Sequence, residues 1–346
     1  MYKSLGFSVY VSTFDQQKEM LKRQIGSEGF IFTSFHIIEE MDQAYLKKAV
    51  EMCDWLYENG FSIIADVSPK TLDYFNDPDL ATFAEIMHLT VLRLDYGFTD
   101  KQIEILSKKL SFVYNASTMD FDKILSTKQP IYAMHNFYPR PETGLDQSLF
   151  RSINDKLIHH SVEIMAFIPG DQEKRGPIYE GLPTLEHHRD LLPYLAYLDL
   201  VQNYQIDHIF VGDVRISDQQ AQLIEAYQKS GVIQIPVHWI EESMSLNDQV
   251  FTIRVDSPQG LMRLQESRGY ASIGEEIKPQ NCYERKRGMI TMDNIKYRRY
   301  SGEVQILRQD YPKDPRVNII GELDPSYVTI IDSIKNGDRI QFTTLN

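Results

Sequence analysis

Eight short apolar runs recur through the first two thirds of this chain, each closing on polar or charged residues, with segments of helical period between them. They are Leu5–Val11, Gly29–Phe35, Phe61–Ala65, Leu89–Leu94, Phe112–Asn115, the run opening at Pro130, Val162–Ile168 and Asp207–Val211. Runs of this length and content suit strands buried on both faces, and strand–helix alternation calls for a parallel sheet with crossover helices. The intervening segments carry helical signals. Leu46, Ala49, Val50, Cys53 and Leu56 fall on one helical stripe that Asn59-Gly60 ends, Asp146 opens another helix, a third is expected over Thr184–Tyr197, and Ser217 caps a fourth. Eight such units in about 240 residues fit an α/β fold, the (β/α)8 TIM barrel. An open doubly wound sheet is the runner-up, weakened because no GxGxxG follows the first strand.

The pattern then changes. From Val250 onward the chain offers short strand candidates at Phe251–Val255, Gly288–Met292, Val304–Leu307, Val317–Ile320, Val328–Ile331 and Arg339–Phe342, separated by turn residues. Many short strands with few helices predict a small all-β domain. The expected division is a barrel over 1–243 and a β domain over 248–346.

A net charge of −13 over 346 residues argues against nonspecific grip on nucleic acid or an anionic membrane. Cys53 and Cys282 lie far apart and form no CxxC, which suits a reducing compartment. The first residues make a poor secretory signal, and no window approaches ~18 uninterrupted apolar residues, so a cytoplasmic protein without membrane spans is expected.

In a β/α barrel, chemistry collects at the carboxyl ends of the strands. Here those ends carry Ser8, Ser34 with His36 beyond it, Asp66, Asp95, Asn115, His135, Asn136, Asp171 and Asp213. Acids on neighbouring strands ~4.8 Å apart, such as Asp66 and Asp95, could serve as the carboxyl pair of a glycosidase. Convergence of His135, Asp66 and Asp95 on a metal is the competing chemistry, although no HxH is present. The Pro139-Arg140-Pro141-Glu142 loop can carry Glu142 over the mouth, and Glu186-His187-His188-Arg189 follows the seventh strand. The loops after strands seven and eight, where barrels often seat phosphate, supply Lys174, Arg175, Arg189 and Arg215. Arg263, Arg268 and Arg285-Lys286-Arg287 of the β domain are further basic candidates.

Several strings together resemble the bacterial 6-phospho-N-acetylmuramidase family, glycoside hydrolase family 170. They are Gly6-Phe-Ser-Val-Tyr10, Phe32-Thr-Ser-Phe-His36, Ala65-Asp-Val-Ser68, Leu92-Arg-Leu-Asp-Tyr-Gly97, Asn115-Ala-Ser117, His135-Asn-Phe-Tyr-Pro-Arg-Pro-Glu-Thr-Gly-Leu145, Gly181-Leu-Pro-Thr-Leu-Glu186 and Gly212-Asp213. The resemblance spans nearly the whole chain and implies a TIM barrel followed by a cyclophilin-like β-barrel. It implies an exo-acting hydrolase that cleaves the β-1,4 bond of a disaccharide of N-acetylmuramic acid 6-phosphate and N-acetylglucosamine, in peptidoglycan recycling, without cofactor or metal. On this reading Asp66, Asp95, Asp213, Glu142 and Glu186 are the catalytic candidates. Ser34, His36, Asn115, His135, Asn136, Arg140, Asp171, Arg175, Arg189 and Arg215 are the substrate-binding candidates. The alternatives are a sugar-phosphate sensor and a metal-dependent phosphosugar isomerase or aldolase; self-association of the chain is left open.

Overall fold

A computed structural model describes residues 5–27, 29–35, 43–75, 79–94, 110–120, 131–240, 246–267 and 275–344. The chain forms two compact units, 1–225 and 226–346.

The first unit is a closed parallel barrel of β1 (Gly6–Ser8), β2 (Phe30–Ser34), β3 (Ser62–Val67), β4 (Leu89–Leu94), β5 (Ser111–Asn115), β6 (Tyr132–Met134), β7 (Glu163–Ile168) and β8 (His208–Val211). They follow chain order around the barrel, and β1 closes it against β8. All eight expected strands are present. Their inward side chains Phe32, Ile64, Val91, Val113, Met134, Met165, Phe167 and Phe210 form one buried cluster, with Phe32, Phe167 and Phe210 in mutual ring contact. Burying each of these side chains contributes roughly 1.5–3 kcal/mol. Strand side chains alternate faces. Two residues beyond five of these core positions come Ser34, Asp66, Arg93, Asn115 and Asn136. The period of two therefore assigns this polar set to the inward face, directly above the apolar core.

The barrel helices follow their caps. Asp146 accepts from Leu149 N (2.9 Å) to open α1 (Gln147–His159), and Ser217 Oγ accepts from Gln220 N at the start of α2 (Asp218–Ser230). The helix expected over Thr184–Tyr197 divides instead into a 3-10 turn, Glu186–His188, and α3 (Pro193–Tyr204). Pro193 causes the break: it lacks an N–H and suits the first turn of a new helix.

The second unit is a seven-stranded mixed sheet in the order β10-β15-β9-β14-β12-β13-β11. Its strands are β9 (Val232–Trp239), β10 (Val250–Thr252), β11 (Leu261–Arg263), β12 (Met289–Asp293), β13 (Val304–Leu307), β14 (Val317–Leu323) and β15 (Arg339–Thr343). Two departures from the sequence pattern have clear causes. Val328–Ile331 belongs to a 3-10 helix, Pro325–Asp332, because Asp324 accepts from Ser326 N and Pro325 begins the turn. β9 is central despite Pro236, a residue that reads against an inner strand. Val232–Pro236 pairs in parallel with β15, and Val237–Trp239 pairs antiparallel with β14, so the proline stands at the hand-off between ladders. No described helix is long and apolar enough to cross a membrane.

Candidate active site at the barrel mouth

The inward polar set makes contacts across the barrel. Arg93 on β4 lies 3.6 Å from the Asp66 carboxylate on β3, and both side chains are mostly buried. The other side of the same guanidinium donates to Asn136 Oδ1, just past β6. Tyr138 joins from the following loop: burial raises its phenol pKa, opposed by a hydrogen bond with Ser117 and by the charge of Arg93. Phe137 packs on Phe32 and Phe167 beneath this network. Among the described residues the mouth is thus an apolar floor carrying a network of Asp66, Arg93 and Asn136, an arrangement suited to a polar, oxygen-rich ligand.

The loop after β6 is fixed by Glu186 and Arg189. Glu186 accepts from Glu142 N (2.8 Å) through Oε1 and from Gly144 N (2.7 Å) through Oε2. Glu142 holds a left-handed φ of 68°, unusual for a residue with a side chain. Gly144 has no room for another residue, because a Cβ there would stand 2.5 Å from Glu186 Oε2 and 2.8 Å from its backbone N. Arg189 bonds both Glu186 oxygens and also donates to the carbonyls of Gly181 (3.0 Å), Tyr138 (3.0 Å) and Arg140 (3.3 Å). The Arg189 bonds hold the Glu186 carboxyl down at about 2, although burial opposes this. Thr184 completes the brace: its hydroxyl donates to Asn136 O and accepts from Phe167 N.

Asp213, just past β8, is buried and accepts three backbone N–H groups: Gly170 (2.8 Å), Arg175 (3.0 Å) and Leu182 (3.2 Å). Burial raises its pKa against these bonds and against the charge of Lys174. Gly170 permits the approach, since a Cβ there would meet Arg215 O at 2.4 Å. Asp171 accepts from Ser217 N (2.7 Å) and so ties the same loop to α2. The Arg175 guanidinium lies over the Tyr10 ring, 3.9 Å from its centroid, and the Tyr10 hydroxyl donates to Gly212 O.

The sequence candidates therefore separate by environment. Asp66 and Asn136 share the inward network, and Ser34 and Asn115 share its strand parity; Asn115 also accepts from Ser117 N. His135 does not face the mouth. One residue past Met134, it is turned outward against α1, where its Nε2 pairs with Asn154 Oδ1 (2.7 Å) and its ring packs on Phe150. Burial lowers its pKa to about 4, with the Asn154 bond opposing. That placement removes it from any shared metal set with Asp66. Glu186, Arg189, Asp171 and Asp213 bond to loop backbone, and Arg140, Glu142 and Arg215 are exposed. Asp95, His36 and Arg268 lie outside the described residues. Tyr138 belongs to the polar cluster that closes the sixth run, whereas strand-end position does not point to Arg93, Thr184 or Tyr10. Arg93 had a usable signal: it is a charged residue in an apolar strand at the parity of Val91.

Residues 5–226 match a family described as 6-phospho-N-acetylmuramidase, N-terminal, and residues 233–343 match its C-terminal counterpart. No curated protein matches the chain. Among solved structures, a conserved Enterococcus faecalis protein of unknown function is 30% identical, with a TM-score of 0.82 over 99% of this chain and 96% of that one. An uncharacterized B. cereus protein is 23% identical, with a TM-score of 0.79 over the whole of both chains.

Proposed function

This chain belongs to the 6-phospho-N-acetylmuramidase family, and from that premise we propose that it is an exo-acting glycosidase of peptidoglycan recycling. Its substrate is a disaccharide with N-acetylmuramic acid 6-phosphate at the non-reducing end. Hydrolysis breaks the β-1,4 bond and releases N-acetylglucosamine, with water supplying the new anomeric hydroxyl and the proton on the departing oxygen. The match of both halves of the chain to this family carries the reading. Such a substrate arises inside the cell by phosphorylation on uptake, so a cytoplasmic site follows. For the second unit, we read the seven-stranded mixed sheet as a cyclophilin-like domain.

The mouth supports specific roles. Asp66 is the described acid best suited to the reacting carbon, because it shares the inward network while Asp213 and Glu186 are engaged with backbone N–H groups. Glycoside hydrolysis uses two carboxyl groups, unless the 2-acetamido group of the sugar attacks and one carboxylate orients it. Asp95, two residues past Arg93 in sequence, is the proposed partner. Arg93 and Asn136 orient the sugar, and Lys174 with Arg175 receives the 6-phosphate.

Incubation with phosphorylated and unphosphorylated disaccharides tests this reading. Release of N-acetylglucosamine from the phosphorylated form alone supports it. No cleavage of either by folded protein overturns the enzyme assignment, and equal cleavage of both overturns the phosphate role.

A further inference from the structure

Away from the acids assigned above, His187, His188 and Asp199 bring three ligand atoms within 4.8 Å of one another. The two histidines are adjacent on the 3-10 turn Glu186–His188, and Asp199 projects from α3. Nε2 of His187 lies 3.0 Å, and Nε2 of His188 2.7 Å, from the same oxygen, Asp199 Oδ2. The other carboxylate oxygen accepts from Asn203 Nδ2 at 2.7 Å, one helical turn along α3, so Oδ2 is held facing the imidazoles. We propose that these three side chains form a binding site for a borderline divalent transition metal, zinc foremost.

The chemistry of the donors selects the ion. Two imidazole nitrogens and one carboxylate oxygen suit zinc, cobalt or nickel, whereas magnesium and calcium require six or more oxygens. Tetrahedral zinc with bonds of ~2.0–2.1 Å sets its ligand atoms about 3.3 Å apart. The two imidazole-to-carboxylate separations therefore need to open by only about half an ångström, and the two imidazole nitrogens lie within 4.8 Å of each other. His187, whose side chain is 34% exposed, can open its own separation, while that of the fully buried His188 opens by a small shift of the Asp199 carboxylate. The exposed edge also leaves the fourth position to water. Asn203 acts as the outer partner that orients the carboxylate ligand.

The placement gives the ion a structural task. Glu186 and Arg189 flank the two histidines in sequence, and both hold the loops over the mouth. A metal at this point would tie the turn to α3 and brace those loops from behind. This inference does not depend on the identity of the substrate.

Calorimetric titration of chelator-treated full-length protein with zinc chloride tests it, alongside cobalt chloride followed by visible absorption. The expected results are one equivalent of zinc, a cobalt spectrum of tetrahedral type and a raised Tm with zinc but not magnesium. His187→Ala, at the exposed ligand, should fold normally and weaken zinc binding about 100-fold or more, beyond the ~10–100-fold typical of losing an outer partner. The double variant H159A/H160A should bind as the parent does. Absence of zinc binding by the parent, or equal binding by His187→Ala, overturns the proposal and leaves the cluster as a hydrogen-bonded strut.

Discussion

Arg189 meets Glu186 through two parallel bonds, Nε to Oε1 and Nη2 to Oε2, both 2.7 Å. The pair is only three residues apart in sequence, yet its outward bonds reach two other parts of the chain. Glu186 holds the amides of Glu142 and Gly144, and Arg189 holds the carbonyls of Tyr138 and Gly181. One ion pair thus fixes two loops at the strand ends, and its bonds are satisfied without any ligand. Charges arranged this way position a site and do not themselves grip substrate.

Removal of Arg189 should therefore affect stability first. Arg189→Ala leaves the Glu186 carboxylate without its main partner and frees the buried carbonyl of Gly181 and the part-buried one of Tyr138. Breaking a buried pair costs ~3–5 kcal/mol; the partial exposure of Glu186 reduces the expected loss to about 2–3 kcal/mol. Arg189→Lys should recover little, because an ammonium cannot reproduce the parallel fork. Denaturant unfolding measures both, and a loss below about 0.5 kcal/mol for Arg189→Ala would contradict the bracing role.

Asp66 and Asp213 should respond oppositely to the same isosteric change. Asp66→Asn is expected to keep the folded stability and lower kcat at least about a thousandfold. Asp213→Asn turns an amide donor toward backbone N–H groups that now donate to the carboxylate. It should destabilise the protein by about 1–3 kcal/mol. Paired measurements of kcat and Tm distinguish them. Full activity in Asp66→Asn would remove it from the chemistry.

Arg175 is the residue through which the phosphate assignment can be separated from the rest. Its ring contact with Tyr10 fixes the guanidinium beside the residues that follow β1. Arg175→Met preserves much of the stacking bulk and removes the charge. We expect KM for the phosphorylated disaccharide to rise about tenfold or more with kcat within a few-fold. A matching fall in kcat with constant KM would place Arg175 in the reaction step.

The barrel was legible because every strand buries both faces and eight such units suit its size, although apolar runs such as Val162–Ile168 also suit an open parallel sheet, from which the pairing of β1 with β8 distinguishes it. The β unit was less so: β9 hides its continuity at Pro236, and Val328–Ile331 has strand-like content inside an Asp-Pro-started turn. Within the site, Asp66 and Asn136 follow from strand-end position alone. His135 misleads for a simple reason: one residue past Met134 reverses the side chain from mouth to helix, and strand-end position alone does not carry that parity. Asp213 and Glu186 were visible as acids, but their bonds to amides far along the chain exist only in the folded state.

His135 in the first unit and Asp293 in the second should contribute opposite pH dependences to stability. His135 has its pKa lowered to about 4, chiefly by burial and despite the Asn154 bond. The unfolded chain binds that proton from about pH 6.5 downward, so the contribution of neutral His135 is complete above that pH and is lost as pH falls toward 4. The full effect is roughly 3 kcal/mol. Asp293 on β12 has its pKa raised to about 7, first by burial, then by the charges of Glu303 and Asp314, with Gln305 and Arg263 opposing. Its folded state holds a proton that the unfolded chain releases near pH 3.9; stability is complete below that value and falls as pH rises through about 7. Asp293→Asn mimics the protonated acid. It should match the parent near pH 4 and exceed it by about 2–4 kcal/mol at pH 8. His135→Gln should instead remove part of the parent's stability gain between pH 4 and 6.5. Denaturant unfolding of the full chain at several pH values checks both, and a pH-independent difference for Asp293→Asn would show that this carboxyl titrates alike in the folded and unfolded states.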